Sequence, residues 1–188
     1  VIKMNWKRNN FIGRDLYNMS LGIIGMGRNG KKIANYAKAF GMKVYYCERR
    51  RNKKKIKGLV KILNLESLVK KVDIVVITCS LNSSSHNLIN SKIFKLFKKG
   101  SYLINTSRGE IICEKSLLKA LKQKRIFGAA LDVIQNERNL KKNNILIKYA
   151  KRYSNLIITP HIGGANIDAW EMTENKVIDR FIELSNKN

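Results

Sequence analysis

What this chain has little of narrows it first. One proline in 188 residues leaves no room for proline-rich linkers or stiff spacers. The three cysteines, Cys47, Cys79 and Cys113, are odd in number, far apart and without a C-x-x-C pair. That excludes a disulfide scaffold and a zinc ribbon, and it reads as reduced, buried thiols in a cytoplasmic protein. Two histidines, His86 and His161, with no clustered ligands around them, give no reason to expect a metal. No apolar run reaches the length of a bilayer crossing and no signal-peptide pattern opens the chain, so no membrane association is expected.

Acidic residues are also scarce: 13 Asp and Glu face 38 Lys and Arg, for a net charge of +25. Such a surplus raises the question of nucleic acid or another anionic partner. The basic residues, however, run through nearly every segment, with small clusters at 49–55 and around Lys98, Lys141 and Lys151. They accompany an abundance of isoleucine and asparagine, the signature of an A+T-rich coding background. A nucleic-acid reading rests on net charge alone, lacking interleaved aromatics or one concentrated basic face, and none is expected as a partner. Under either explanation the field favours an anionic ligand.

What is present is an alternation. With 44% hydrophobic and 27% charged residues, the composition is that of a globular protein able to bury a core. Short, β-branched-rich apolar runs at 21–25, 43–47, 73–79, 101–106, 128–133 and 155–160 read as strands buried on both faces. Amphipathic stretches at 28–40, 65–71, 91–98, 115–124 and 168–184 read as helices. This order predicts an α/β fold: a Rossmann-type, doubly wound parallel sheet with helices on both faces. No repeat or linker divides it, so residues 1–188 are expected to form one domain, with 1–19 as a peripheral N-terminal segment.

The stretch "LGIIGMGRNGKKIA" at 21–34 places a G-x-G-x-x-G after a strand and at the start of a helix, the context that motif needs. Gly25 permits the turn, Gly27 lets backbone approach a pyrophosphate, and Gly30 lets helix and strand pack closely. The phosphates would sit on the free N–H groups and positive end of the helix beginning near Arg28. Eighteen positions after Gly30, Glu48 ends the second strand, where a carboxylate binds ribose hydroxyls and repels a 2′-phosphate, favouring NAD over NADP. Arg49, Arg50 and Arg51 follow at once; they suit either a solvated loop or a phosphate neighbour.

Ligands of open parallel sheets lie at the carboxyl ends of the strands. Three polar interruptions fall there: Arg108 in "INTSRGE", Asp132 and Glu137 in "ALDVIQNE", and His161 in "ITPHIGGA". A guanidinium can clamp the carboxylate of a 2-oxo acid through paired hydrogen bonds. An imidazole can pass a proton to or from the oxygen that becomes a hydroxyl, and a carboxylate bonded to it would orient it.

The chain closely resembles the cofactor-binding domain of the D-isomer-specific 2-hydroxyacid dehydrogenases, a family that includes D-3-phosphoglycerate dehydrogenase and hydroxypyruvate reductase. The resemblance runs from about Trp6 to Trp170. It rests on "GRDLYNMSLGIIGMGRNGKKIANYAKAFGMKVYYCE", "HNLINSKIFKLFKKGSYLINTSRGEIICEKSLLKAL", "GAALDV" and "NLIITPHIGGA". It implies that Arg108 binds substrate, that Glu137 pairs with the catalytic His161, and that Asp132 holds the nicotinamide carboxamide. It further implies that Arg28 and Asn29 meet the pyrophosphate, and that Thr106, Ser107, Gly163 and Gly164 lie on the nicotinamide side. It implies NAD as cofactor, a small anionic 2-hydroxy or 2-oxo acid as substrate, and a homodimer. The same domain is similar to that of NADH-sensing transcriptional corepressors of the C-terminal-binding-protein type, a regulatory alternative that turnover would exclude.

Three departures stand out. Arg138 follows Glu137 where the family often has proline. "TCSL" puts Ser80 in a proline's place, and His86 stands at a position expected to face solvent. Family members also carry a segment ahead of this domain that helps to form a substrate domain. Only about twenty residues precede the first strand here, so this chain is expected to bind cofactor and to turn over poorly alone.

Overall fold

In the computed structural model, which describes residues 13–48, 56–140 and 143–186, β1 (Ser20–Ile24), β2 (Lys43–Cys47), β3 (Val60–Lys61), β4 (Ile74–Ile77), β5 (Ser101–Asn105), β6 (Ile126–Leu131) and β7 (Leu156–Ile158) join in one sheet. The order is β3-β2-β1-β4-β5-β6-β7, and every pairing is parallel. The chain winds outward from β1 to β3, then returns to β4 on the other side of β1. That reversal opens a crevice at the carboxyl ends of β1 and β4, where ligands of such sheets bind.

Alternation along the strands feeds two apolar layers. On one side Ala34 and Ala37 of α1 (Arg28–Ala39) pack on Leu21, Ile23, Val44, Tyr46 and Val76. On the other, Val75, Ile77, Leu103 and Leu131 are covered by α2 (Leu65–Lys71), α3 (Ser91–Leu96), α4 (Glu114–Lys122) and α5 (Ile145–Ala150). Over β5 to β7 no helix among the described residues covers the α1 side, and Phe127 and Ile157 are 63% and 61% exposed.

Asparagine finds local use at helix N-termini, where its side-chain oxygen accepts from orphan N–H groups. Asn64 caps α2 through Ser67 N at 2.8 Å. Asn90 caps α3, Asn144 caps α5, and Asn166 caps α6 (Ile167–Ser185) through Ala169 N at 3.0 Å.

The expected fold class holds, with local differences. β3 has only two residues, too short to show a period, and α5 is a single apolar-rich turn and a half without one. The helix expected over 168–184 forms as α6 but buries none of its residues; Trp170, Val177 and Phe181 are exposed. An apolar stripe there predicted a helix without a partner for it. Of the thiols only Cys47 is buried, while Cys79 and Cys113 are half-buried. Of the expected peripheral segment at 1–19, residues 13–19 form a loop and turn ahead of β1, and residues 1–12 lie outside the described residues. Among the described residues no helix is long and apolar enough to cross a membrane.

Candidate active site

The glycine loop leaves β1 at Ile24 and enters α1 at Arg28. Gly25 has φ +96°, and a Cβ there would lie 2.7 Å from the Cys79 backbone. At Gly30 an added Cβ would lie 2.3 Å from the Gly25 carbonyl oxygen, which also accepts from Thr78 Oγ1 at 2.5 Å. These two glycines are fixed by packing. Gly27 is different: its backbone is extended, and nothing lies within 4 Å of an added Cβ.

Gly27 caps α1 without a side-chain hydrogen bond, and no acidic residue occupies the first turn. The first N–H groups of a helix have no intrahelical partners and carry its positive dipole end. Arg28 and Asn29 are exposed beside them. Open space next to unopposed N–H groups fits a pyrophosphate.

Glu48, just past β2, is half-buried. Its Oε1 accepts from Lys61 Nζ of β3 at 3.1 Å. Lys61 escaped the sequence reading because the strand that carries it did. Arg49, Arg50 and Arg51 lie outside the described residues.

At the other end of the crevice, His161 follows β7 with a left-handed backbone, φ +55°. Its Nδ1 lies 2.6 Å from Glu137 Oε1, and Asn136, before the glutamate, is also left-handed at φ +53°. Non-glycine residues occupy this region at a cost, which persists where surrounding contacts impose it. Those contacts come from Asp132. Its Oδ1 accepts from Thr159 Oγ1 at 2.6 Å and Ile162 N at 2.9 Å, and its Oδ2 from Gly163 N at 2.8 Å. The Asp132 carbonyl takes His161 N at 2.9 Å. A Cβ on Gly163 would stand 2.9 Å from Asp132 Oδ2, whereas Gly164 is open.

Burial pushes the Asp132 carboxyl up, but the bonds from Thr159, Ile162 and Gly163, with the nearby His161, outweigh it and hold it below its ordinary value. Asp132 is thus a charged anchor for the histidine loop.

Arg108 is carried by the turn after β5. Asn105, fully buried, donates from Nδ2 to the Arg108 carbonyl at 2.9 Å and accepts from Ser107 N at 3.0 Å. Ser107 Oγ donates to the Cys79 carbonyl, tying this turn to the glycine-loop side, while Thr106 is exposed. Gly109 packs so tightly on Ile134 that an added Cβ would lie 2.0 Å from the Ile134 carbonyl carbon. The guanidinium is exposed, and its Nη1 bonds the Ser107 carbonyl at 2.6 Å. Arg108 shares the strand-end rim with the His161–Glu137 pair and, among the described residues, makes no ion pair with it. Asn105 and Gly109 were not singled out in the sequence, although a polar residue closing an apolar strand was the available signal. His86 is exposed, as expected. Among the described residues no three His, Cys, Asp or Glu side chains are placed to hold a metal ion.

The profile of the family described as "D-isomer specific 2-hydroxyacid dehydrogenase, NAD binding domain" matches residues 1–163. A protein of Staphylococcus aureus (strain USA300) assigned as a 2-hydroxyacid dehydrogenase is 37% identical over 173 residues, covering 92% of this chain and 53% of the relative. Among solved structures, D-lactate dehydrogenase from Aquifex aeolicus, complexed with NAD and lactic acid, matches with a TM-score of 0.85 at 30% identity. It covers 99% of this chain and 60% of that one. An acyclic imino acid reductase in complex with NADPH and D-Arg matches with a TM-score of 0.86 at 28% identity, over 99% of this chain and 57% of that one. The chain spans about half the length of the curated relatives it matches.

Proposed function

The chain belongs to the D-isomer specific 2-hydroxyacid dehydrogenases as their NAD-binding domain, and on that premise we propose that it serves an enzyme exchanging a hydride between NAD(H) and a small D-2-hydroxy acid or its 2-oxo acid. The observation that carries this reading is the His161–Glu137 pair, 2.6 Å apart, on a loop that a buried aspartate ties down. Bound NAD supplies the hydride acceptor, and NADH the donor.

Glu137 engages Nδ1 of His161, so Nε2 is the nitrogen left to face substrate. In the reducing direction His161 gives its proton to the carbonyl oxygen; in the oxidising direction it takes one from the hydroxyl. Glu137 orients the ring through that contact. Arg108, with donors beyond the one spent on Ser107, pairs with the substrate carboxylate. Gly25, Gly27, Arg28, Asn29 and Gly30 form the pyrophosphate cradle, and Glu48 meets the adenosine ribose. Thr106, Ser107, Asp132, Gly163 and Gly164 border the nicotinamide; the bonds of Asp132 Oδ1 and Oδ2 to its own loop make its support indirect.

The net charge of +25 favours an anionic substrate, and 3-phosphoglycerate and hydroxypyruvate are the candidates put forward. The domain works with the half of the relatives' length that this chain does not span. A homodimer would find an apolar surface at Phe127 and Ile157, which are exposed among the described residues.

The test is NADH oxidation by the complete protein with glyoxylate, hydroxypyruvate, pyruvate and 3-phosphohydroxypyruvate. Turnover of at least one is expected, falling about 10²- to 10⁴-fold in His161→Gln with NADH binding retained. Failure to reduce any of them, or full activity in His161→Gln, would contradict the reading.

A further inference from the structure

Glu48 is expected to select against a 2′-phosphate by its charge, but in the folded chain that charge does not stand alone. Lys61 is in register with Tyr46 across the β2–β3 pair, and Glu48 lies two residues beyond Tyr46. Both side chains therefore leave on the same face of the sheet, at the strand ends where the adenosine half of a dinucleotide sits. Lys61 Nζ lies 3.1 Å from Glu48 Oε1, with side-chain exposures of 23% for the lysine and 18% for the glutamate. The same ammonium lies over the Tyr46 ring, 5.9 Å from its centroid.

We propose that Lys61 sets the nucleotide choice of this domain, its ammonium offsetting the Glu48 carboxylate and offering a cation to a 2′-phosphate, so that the site accepts NADPH as well as NADH. The physical reason is local charge. A lone carboxylate repels a dianionic phosphate, whereas in a carboxylate–ammonium pair the cation offsets that repulsion. Partial burial keeps that pair from being screened away as it would be on open surface. Ribose hydroxyls can bond the carboxylate of the pair, and a 2′-phosphate can bond the ammonium. One site then serves both nucleotides, at the expense of sharp discrimination.

The inference rests on the domain binding a pyridine dinucleotide through its glycine loop and Glu48. The experiment is calorimetric titration of the chain with NADH and with NADPH, in the wild type and in Lys61→Met, Lys61→Arg and Glu48→Gln. The wild type is expected to bind both, with dissociation constants within about tenfold of each other. Lys61→Met should raise the constant for NADPH about tenfold, the loss of one charge-assisted contact, and leave that for NADH nearly unchanged. Lys61→Arg should restore NADPH binding, and Glu48→Gln should turn the preference toward NADPH.

If the lysine only props up Glu48, Lys61→Met weakens both nucleotides equally, and the inference fails while the dinucleotide reading stands. Binding of NADH alone by the wild type has the same meaning. No binding of either nucleotide overturns both the underlying reading and the inference.

Discussion

Replacing Gly27 with alanine separates the cradle from the scaffold that builds it. Gly27 sits at φ −76°, ψ −160°, a conformation open to alanine, and an added Cβ meets nothing within 4 Å. The unfolded chain loses freedom in the variant, worth about 0.4–1 kcal/mol of stability. Alanine is a poorer N-cap than glycine by a comparable amount, so the net change should stay within about 1 kcal/mol. The new methyl group instead enters open space beside the first N–H groups of α1, where the proposed cradle would receive a phosphate oxygen. An NADH dissociation constant at least about tenfold higher is expected, equivalent to about 1.4 kcal/mol.

Gly30→Ala provides the contrast. Its Cβ would stand 2.3 Å from the Gly25 carbonyl oxygen, forcing helix and strand apart at about 1–3 kcal/mol or more. Urea unfolding and NADH fluorescence titration of both variants decide the matter. If Gly27→Ala loses more than about 2 kcal/mol, or binds NADH as the wild type does, the assignment of that open space to the cofactor is wrong.

Asp132→Ala would strip three donors of their acceptor, those of Thr159, Ile162 and Gly163. A loss of about 2–4 kcal/mol in chemical denaturation is expected, with Asp132→Asn intermediate. Asp73 titrates at about 2: burial raises it, but Lys98 and Ser20 outweigh that and bring it down from 3.8. Because the folded value is the lower one, this carboxylate stabilises the fold above about pH 4, and the contribution disappears as pH falls toward 2. Allowing for solvent at Lys98, it amounts to about 1–2 kcal/mol, and Lys98→Met should shrink the acid limb of the stability profile. The Cys47 thiol is pushed up to about 12 by burial and by Cys79 and Glu48. It should resist maleimide at neutral pH until the chain unfolds, as mass spectrometry of labelled protein would show.

How much of this was legible in the sequence depends on the length of each signal. The sheet was, because its longer strands are continuous apolar runs that only burial on both faces explains. The glycine loop was, because three glycines at set spacing between a strand and a helix have few other uses. His161, Glu137 and Arg108 stood out as polar breaks at strand ends, and the fold brings histidine and glutamate into contact while leaving the arginine to one side. β3 was not legible because two residues show no period, and α5 because its six residues are almost continuously apolar and show no polar face. With β3 went Lys61, whose pairing with Glu48 is made by register between strands and leaves no local pattern. The role of Asp132 as loop anchor was hidden for a similar reason: its partners lie 27 to 31 residues away. The end of the chain shows the opposite case, a periodic stripe on α6 that correctly gave a helix but said nothing of what it packs against.

The most direct measurement is a titration of this chain with NADH, followed by nucleotide fluorescence. The proposed roles of Gly27 at the pyrophosphate, Glu48 at the ribose and Asp132 at the nicotinamide rim predict saturable binding of one nucleotide per chain, displaced by NAD. A linear response with no saturation and no displacement by NAD would contradict the account at its base.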